Sequence, residues 1–385
     1  MGKNMNFSGQ PIFNQLLNFI DKNEIKQIAK KHEAERYVKK FTTYHHLVVM
    51  LYASIEGYHS IRETILGLLA NAHKLSHLGL SYLVRRSTLS EANARRTSRV
   101  FEDIYMSVYR RHAKFLADSR LKDADMKRLY IMDSTTISLF KDILRGVGRN
   151  PLEGKKKGGI KAHTIIKASE NIPCLIRYSE AVRHDHTFIK EAQNLPKGSI
   201  INFDKGYVDY QWFAQLTLQN VSFVTRLRPK TVYQVKSSRT VLATKGIIAD
   251  ECIELSSAHA KKRGAPELLR RIEFYDTDKK RTFEFLSNNF HLAASTIAAI
   301  YKDRWKIELF FKAIKQNLKL KSFLGRSRNA IQTQIWIALI AYLLVNFAKH
   351  MAQEGWSVQR LLRIIQVNLF ERKLLRSLFV PDKKW

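Results

Sequence analysis

Short apolar runs that favour β-strands fill the middle of the chain, between two regions whose apolar residues recur at helical spacing. The helical regions cover residues 1–125 and the chain from Ala293 onward. The strand-like runs lie at 129–131, 160–168, 172–179, 199–203 and 221–227. A helical segment at Tyr210–Gln219 separates the last two runs, so strands come first and then alternate with a helix. This order predicts an α/β fold with a mixed sheet.

The net charge restricts the partners of the chain. The 385 residues include 66 Lys and Arg against 34 Asp and Glu, a net charge of +32, and the excess recurs in every fifty-residue block. Since 45% of the residues are hydrophobic, the chain can bury a core and is not a disordered basic tail. Duplex DNA carries a negative charge every ~1.7 Å of its axis, so DNA is the expected partner.

A membrane partner is the competing interpretation of the charge, and it would require an anchor. No signal-type apolar segment or myristoylation motif is found near the N-terminus. The longest apolar run, Ile335–Val345, is about half a membrane span, so we interpret it as a buried core helix. With two cysteines, Cys174 and Cys252, a disulfide framework is not expected, and a cytoplasmic location is the simplest expectation.

The β-rich pattern continues through residues 229–290, where basic turns join the strand-like runs and the alternation with helices stops. We interpret this region as an insertion into the α/β fold. The predicted organisation has five parts: a helical N-terminal DNA-binding domain (1–125), the first part of the core (126–228), the β-rich insertion (229–290), the second part of the core (291–350) and a C-terminal helical segment (351–385).

A helix start is predicted within the N-terminal domain. Thr88 and Glu91 have the spacing of a capping box. The helix that follows would expose Asn93, Arg95, Arg96 and Arg99. That face either enters a DNA groove in the manner of a helix-turn-helix or is a solvated basic surface.

Two aspartates directly follow short apolar runs. Asp133 comes after Tyr-Ile-Met, and Asp204 comes after Ile-Ile-Asn-Phe. Functional groups often converge at the carboxyl ends of neighbouring strands, although aspartates in such places also cap helices and begin turns.

A third carboxylate lies in a strongly basic helix predicted around residues 301–319. Tyr301, Arg304, Glu308 and Lys315 fall within an arc of about 60°, beside an apolar face of the same helix. An ordinary amphipathic helix with a mixed-charge face is the alternative. Together, Asp133, Asp204 and Glu308 supply the hard oxygen ligands that a two-metal phosphodiester site requires.

These residues resemble a known family. Tyr301, Arg304, Glu308 and Lys315 have the spacing Y-x2-R-x3-E-x6-K, which resembles the YREK signature of insertion-sequence transposases of the DDE class, the IS-four family. Asp133 in MDSTT and Asp204 in FDKGY resemble the first and second catalytic aspartates of that family. The helical N-terminal segment, with RSTLSEAN at 86–93, also resembles the corresponding domain of many members.

The resemblance implies an RNase H-like catalytic core with a β-rich insertion, an all-helical N-terminal domain and a helical C-terminal region. It further implies two Mg²⁺ ions, with Mn²⁺ as a substitute, of which Asp133 would contact both, Asp204 one and Glu308 the other. The implied reaction is cut-and-paste transposition through hairpin ends. Tyr301, Arg304 and Lys315 would hold phosphates near the cleaved end and steady a flipped base.

The resemblance also implies the partners: the inverted-repeat ends of the element that encodes the chain, a target DNA and a second copy of the chain. The expected location is the nucleoid of a prokaryotic cytoplasm. A catalytically silent DNA-binding protein and a metal-dependent nuclease without joining activity are the alternatives.

Several basic, histidine and aromatic residues are weaker candidates. Arg326 and Arg328 follow the helix in a Gly/Ser loop and are predicted phosphate contacts. The basic turn Lys155–Lys157 is either solvated or a DNA contact, and His163 and His184 could approach the metals or be ordinary core or surface histidines. Trp305 could stack a base or serve packing.

Overall fold

The computed structural model describes residues 9–116, 127–138, 159–180, 188–189, 194–241, 246–317, 323–351 and 356–379. In these residues the fold is mixed α/β, with one nine-stranded sheet and many helices. The chain divides into two compact units. The first contains residues 1–117, 137–146 and 311–385, and the second contains residues 118–136 and 147–310.

The helices and strands are numbered in chain order. The α-helices are α1 Ile12–Leu17, α2 Lys22–Lys31, α3 Thr43–Glu56, α4 Ile61–Ala70, α5 Arg86–Arg95, α6 Arg99–Leu116, α7 Tyr210–Leu218, α8 Ala258–Lys262, α9 Ala294–Lys302, α10 Trp305–Lys312, α11 Arg328–Met351 and α12 Val358–Val367. The strands are β1 Leu129–Ser138, β2 Gly159–Lys167, β3 Ile172–Glu180, β4 Ile200–Phe203, β5 Ser222–Arg226, β6 Tyr233–Ser238, β7 Ile247–Leu255, β8 Leu269–Asp276 and β9 Arg281–Ser287.

The first unit is built around α11. Every residue from Ile335 to Val345 is buried, as predicted, because the helix packs against α3, α6 and α12 on its different sides. Trp336, for example, meets the ring of Tyr105 on α6 with centroids 5.6 Å apart. The segment Arg328–His350 is long and apolar enough to cross a membrane, but 94% of its most apolar stretch is buried inside the protein. This helix therefore forms the core of the first unit.

The helix start predicted at Thr88 is wrong. Helix α5 begins at Arg86, and its N-cap residue, Arg85, makes no side-chain cap hydrogen bond. Thr88 and Glu91 therefore lie inside the helix, and Glu91 instead bonds Arg95 one turn later, over 2.7 Å. Side chains four residues apart are neighbours on a helix surface, which allows this ion pair.

Two of the four residues expected on the exposed face of that helix are buried. Asn93 is 2% exposed, and its Oδ1 accepts a hydrogen bond from Nε2 of the His46 imidazole over 2.8 Å. Arg96 is 5% exposed and donates to the carbonyls of Ala34 and Phe41. Only Arg95 and Arg99 are exposed. The buried pair holds the end of α5 to its own unit, so a continuous basic face does not form.

The second unit contains the sheet, in the order β3-β2-β1-β4-β5-β9-β8-β7-β6. Strands β1, β4 and β5 run parallel to one another, and β2 and β3 form an antiparallel pair. All four residues of β4 are buried, as expected for a central parallel strand covered on both faces. Strand β5 then pairs antiparallel with β9, so the four strands β6–β9 continue the same sheet.

Two local predictions need correction. Asp133 does not follow a strand but lies inside β1, because the β-branched run Thr135–Ile137 extends that strand to Ser138. The single helix expected around 301–319 is interrupted: α9 ends at Lys302, α10 begins at Trp305, and a π-helical turn occupies Ala313–Asn317. Hydrogen bonds of the tighter i→i+3 type cross the junction at Asp303 and Arg304.

Candidate active site

One arginine joins two of the three predicted carboxylates. Arg304 donates from Nη1 to Asp133 Oδ2 over 2.7 Å and from Nη2 to Glu308 Oε1 over 2.6 Å. Asp133 projects from the central strand β1, and Glu308 from the first turn of α10. The side chains of Asp133 and Arg304 are 18% and 22% exposed, and that of Glu308 is 36% exposed. This partly buried bridge connects a strand to a helix of the same unit.

The third predicted carboxylate, Asp204, lies beside this bridge. Residues Met132 and Phe203 are partners in the parallel pairing of β1 with β4, so Asp133 and Asp204 are the next positions on adjacent strands. Asp204 forms a long ion pair with Arg226, whose Nη2 lies 3.5 Å from Oδ1. Arg226 ends β5, the third parallel strand. Three neighbouring strands therefore contribute charged side chains near the carboxyl ends of β4 and β5.

The site disfavours the charged form of one carboxylate. The pKa of Asp133 is raised to about 6, chiefly because burial removes water from the carboxylate. The negative charges of Asp204 and Glu308 raise this pKa further, whereas the Arg304 guanidinium and a hydrogen bond from the Ser134 amide lower it. The surroundings of Asp133 therefore disfavour its ionised form.

The chemistry of these donors fits hard divalent cations. Carboxylate oxygens are the ligands that Mg²⁺ and Mn²⁺ prefer, and the mutual repulsion seen at Asp133 is what a bound cation would relieve. Within the described ranges, no three acidic, histidine or cysteine side chains already form a metal-binding group. The Arg304 guanidinium supplies the positive charge between Asp133 and Glu308. A metal ion bound through Asp133 Oδ2 and Glu308 Oε1 would displace this guanidinium.

Tyr301 lies next to the carboxylates at the end of α9. Its ring packs on Phe285 with centroids 4.9 Å apart, and the guanidinium carbons of Arg226 and Arg304 each lie 5.9 Å from its centroid. The side chain is buried, and its hydroxyl makes no hydrogen bond of ordinary geometry with the residues that the structure describes, although the Arg304 side chain lies within its reach. Burial also raises the pKa of the phenol. The site therefore presents a neutral hydroxyl that can still donate or accept a hydrogen bond.

A cavity of about 310 Å³ opens beside Tyr301 and Glu308. One wall comes from α9 and α10, and the other from the β8–β9 hairpin. The walls combine aromatic rings with an excess of cations, namely Arg226, Phe274, Asp276, Lys279, Arg281, Phe283, Phe285, Tyr301, Lys302, Arg304, Trp305 and Glu308. Trp305 is 59% exposed, so its ring is available to a ligand. Rings with cations suit the bases and phosphates of a nucleic acid.

Five of the eight predicted site residues meet in the second unit: Asp133, Asp204, Tyr301, Arg304 and Glu308. The other three belong to the first unit. Lys315 is half-buried in the π-helical turn, where burial lowers its pKa, and Arg326 and Arg328 are exposed just before and at the start of α11.

The weaker candidates have mixed outcomes. His163 is buried on β2, where its Nε2 lies 2.8 Å from Ser179 Oγ and its ring stacks on Phe188. This is the environment of a core histidine. Lys155–Lys157 and His184 lie outside the described residues. Sequence reasoning missed Arg226 as a site residue. The only signal was its position at the end of a strand parallel to the Asp204 strand, in a chain with 66 basic residues.

Comparison with protein families gives two matches. Residues 125–344, more than half of the chain, match the family model described as the Transposase DDE domain. This range includes all three carboxylates. Residues 8–81 match a domain of unknown function, DUF4372.

Curated relatives carry transposase names. A protein of Sinorhizobium fredii, named as transposase y4zB, is 31% identical over 297 residues, which are 76% of this chain and 80% of that protein. A Synechocystis protein named as the transposase of insertion sequence element IS4SA is 24% identical over 74% of this chain and 78% of its own length. The Geobacillus stearothermophilus protein named for IS5377 is 26% identical over 57% and 56%, respectively.

Among solved structures, a piggyBac transposase synaptic complex with hairpin DNA aligns with 99% of this chain and 84% of that chain. Its TM-score of 0.45 and sequence identity of 11% are too low to argue from. The family match and the Sinorhizobium fredii relative are sufficient to identify the family of this chain. The chain belongs to the DDE-domain transposases, DNA-binding enzymes that act on the phosphodiester bonds of DNA.

Proposed function

We propose that this transposase is a member of the IS-four family with a YREK signature, and that Asp133, Asp204 and Glu308 are its catalytic carboxylates. The observation that carries the proposal is the Arg304 bridge, which brings Asp133 and Glu308 to one guanidinium although 175 residues separate them. Asp204 joins them through the parallel pairing of β1 with β4. The strand order β3-β2-β1-β4-β5, with β1, β4 and β5 parallel, supports an RNase H-like core.

DDE transposase domains generally use divalent metal ions. In this chain, Asp133, Asp204 and Glu308 would hold two Mg²⁺ ions, or Mn²⁺ in their place. Bound there, the ions would activate the attacking oxygen and stabilise the leaving oxygen. The protein contributes partly buried carboxylates and a guanidinium that neutralises two of them, Asp133 and Glu308, before metal binds.

The residues around the carboxylates would position DNA. Tyr301 and Arg304 would hold the phosphates next to the cleaved bond. Lys315, in the first unit, would contact DNA as well. Once released from Asp133 and Glu308, the Arg304 guanidinium can bind a phosphate in a bidentate manner. The exposed ring of Trp305 and the aromatic wall of the cavity would stack an unpaired base. Arg326 and Arg328 would contact phosphates further along the DNA.

The proposed reaction is cut-and-paste transposition. Water attacks a phosphodiester at the end of the element, which breaks the P–O3′ bond and frees a 3′-OH. This 3′-OH attacks the opposite strand, so the end closes as a hairpin and the flanking DNA leaves. A second water opens the hairpin and restores the 3′-OH, which then attacks a phosphodiester of the target DNA. Because two ends must be joined to one target, the acting species would be a dimer on DNA.

The test is cleavage of the DNA ends that flank the coding sequence, in Mg²⁺ and in EDTA. Asp133→Asn, Asp204→Asn and Glu308→Gln should each abolish cleavage but not binding. Glu254→Gln is the matched control, because Glu254 is a carboxylate of the same unit that pairs with Lys236, on the β6–β7 edge of the sheet. Denaturing gels would show hairpins as snap-back bands, and 3′-ends joined to target DNA would distinguish a transposase from a nuclease. Cleavage that survives all three substitutions would refute the assignment.

A further inference from the structure

Arg270, on β8 of the insertion, is one of the most deeply buried charged side chains described. It is 2% exposed, and its Nε and Nη2 donate to the two oxygens of Asp250 on β7, both over 2.7 Å. Its Nη1 donates to the carbonyls of Asn289 and Leu292, over 3.0 and 2.6 Å. The guanidinium thus uses all three nitrogens on partners within the second unit, and its burial excludes it as a phosphate contact.

The two carbonyls belong to the segment that leads into α9. Asn289 also bonds Ser222 on β5, and its side-chain oxygen accepts from the amides of His291 and Leu292. Arg239, which follows β6, donates to the carbonyl of Phe290 over 2.8 Å. Side chains from three strands or their ends therefore fix this segment directly before α9 begins at Ala294.

The other end of α9 is held by the strand that carries Asp204. The side-chain amide of Asn202, which is fully buried on β4, donates to the carbonyl of Ile300. Asn202 is two residues before Asp204, and Ile300 is one residue before Tyr301. Helix α9, about 13 Å long from its nine residues, is therefore fixed at its start by the insertion and at its end by the core.

We propose that Arg270 and Asp250 are positioning residues of the insertion. The pair fixes the start of α9 and, through this helix and the junction at Asp303 and Arg304, places Tyr301, Arg304 and Glu308 against Asp204. The proposal rests on the proposed function only in taking Glu308 as catalytic. Displacement of reacting groups by about 1 Å can slow an enzymatic step by about a hundredfold, so a clamp at the far end of a rigid helix affects the rate.

Arg271 provides a matched comparison within the same strand. It is also largely buried, at 8% exposure, and it pairs with Glu251, Glu273 and Glu284. Because side chains alternate along a strand, Arg271 faces the opposite side of the sheet from Arg270. Its ion-pair partners lie on β7, β8 and β9, and its guanidinium also lies over the Tyr233 ring on β6, so none of these contacts involves the segment before α9. Loss of this cluster would cost stability without releasing α9.

The experiment compares Arg270→Lys with Arg271→Lys in the full chain. Lysine keeps the positive charge but lacks the planar guanidinium, whose three nitrogens bond Asp250 and both carbonyls at the same time. DNA affinity, thermal midpoint and the single-turnover rate of cleaving a pre-bound element end are measured for each. We expect Arg270→Lys to slow cleavage at least tenfold, with the dissociation constant within twofold of wild type. Arg271→Lys should lower the thermal midpoint and leave the cleavage rate within twofold.

Equal cleavage rates for folded Arg270→Lys and wild type would overturn the proposal, as would equal slowing by the two lysine variants. If Arg270→Lys does not fold, the double variant Arg270→Met/Asp250→Val replaces it, because removing both charges leaves no unpaired buried ion. The double variant should bind DNA normally and cleave slowly, and normal cleavage would overturn the proposal. Glu308→Gln separates the two hypotheses. If it cleaves normally, the proposed function fails; if it is inactive while the Arg270 variants cleave normally, only the positioning role fails.

Discussion

The guanidinium of Arg304 lies 2.7 Å from the carboxylate of Asp133, so a residue between two helices neutralises a carboxylate of the central strand. The same guanidinium also binds Glu308. One side chain therefore satisfies two carboxylates that we assign to metal binding, and burial still raises the pKa of Asp133 to about 6. Arg304 and a divalent cation would compete for the same oxygens.

Removal of the Arg304 charge should strengthen metal binding. We expect Arg304→Gln to bind Mn²⁺ about tenfold more tightly in the absence of DNA, which corresponds to about 1.4 kcal/mol. Cleavage should nevertheless become slower, because the phosphate contact is lost. Titration followed by electron paramagnetic resonance measures the affinity. Arg263→Gln, which removes an exposed charge elsewhere in the unit, should leave the affinity unchanged, and weaker Mn²⁺ binding by Arg304→Gln would contradict the competition.

The phenol of Tyr301 should have opposite effects on stability and activity. Its buried hydroxyl makes no hydrogen bond of ordinary geometry among the described residues, so Tyr301→Phe should raise the free energy of unfolding by about 1 kcal/mol while the ring stays packed on Phe285. DNA cleavage should fall, since the hydroxyl is a proposed phosphate contact. Denaturant unfolding and single-turnover cleavage check both parts. A variant that is more stable and equally active would show that the hydroxyl does not touch DNA.

The basic turn of the β8–β9 hairpin should contribute to the salt dependence of DNA binding. Lys279 and Arg281 line the cavity with their charges on the insertion side. If each neutralises one phosphate, the slope of log K against log salt should become less negative by about 0.9 for each substitution to Gln. Lys236→Gln is the control, because Lys236 is already paired with Glu254. Fluorescence anisotropy between low and moderate salt measures the slopes, and unchanged slopes would exclude these contacts.

Acid should destabilise the protein through His46. Burial lowers the pKa of this histidine from 6.5 to about 3, with a smaller contribution from Arg96. Below pH 6.5 the unfolded chain binds a proton at this histidine that the folded chain does not bind. The resulting loss of unfolding free energy is absent above pH 6.5 and grows as the pH falls toward 3. Between pH 7 and pH 5 this amounts to ~2 kcal/mol of unfolding free energy.

The variant His46→Gln should remove that part of the pH dependence, because glutamine can still bond Asn93 and does not titrate. Urea unfolding at pH 7 and pH 5 measures the difference. His73→Gln is the control, because it removes an exposed histidine and leaves the buried His46 in place. An unfolding free energy that falls equally in His46→Gln and wild type would show that other groups cause the acid sensitivity.

The sequence predicted the elements whose pattern is local. The apolar run Ile335–Val345 is a buried helix, and the strand-like runs near Leu129, Ile160 and Ile172 are strands. Both were predictable because the spacing of apolar residues and the content of β-branched residues are visible within a few positions. The spacing of Arg304 and Glu308 predicted that they share one face of a helix, whereas their meeting with Asp133 depends on the tertiary fold. What each of these residues does in catalysis stays a prediction.

Features that depend on tertiary contacts could not be predicted. In the strand Leu269–Asp276, Arg270 and Arg271 look alike, and only the packing of each face decides that Arg270 clamps the segment before α9. Asn93 and Arg96 looked like surface residues because buried polar partners on other helices cannot be read from spacing. The bond from Arg304 to Asp133 likewise spans 171 positions of the chain.

The pairing of β5 with β9 limits how the insertion could be exchanged or lost. One hydrogen-bonded ladder joins Val224, Thr225 and Arg226 to Ser287, Leu286 and Phe285, respectively. Residues 229–290 are therefore part of the main sheet and not a separate module joined to it by a linker. Excising them would strip β5 of its neighbour and leave an open edge that invites strand pairing between molecules. A viable chimera must therefore bring a replacement strand for β5, and its recombination junctions should fall outside this ladder.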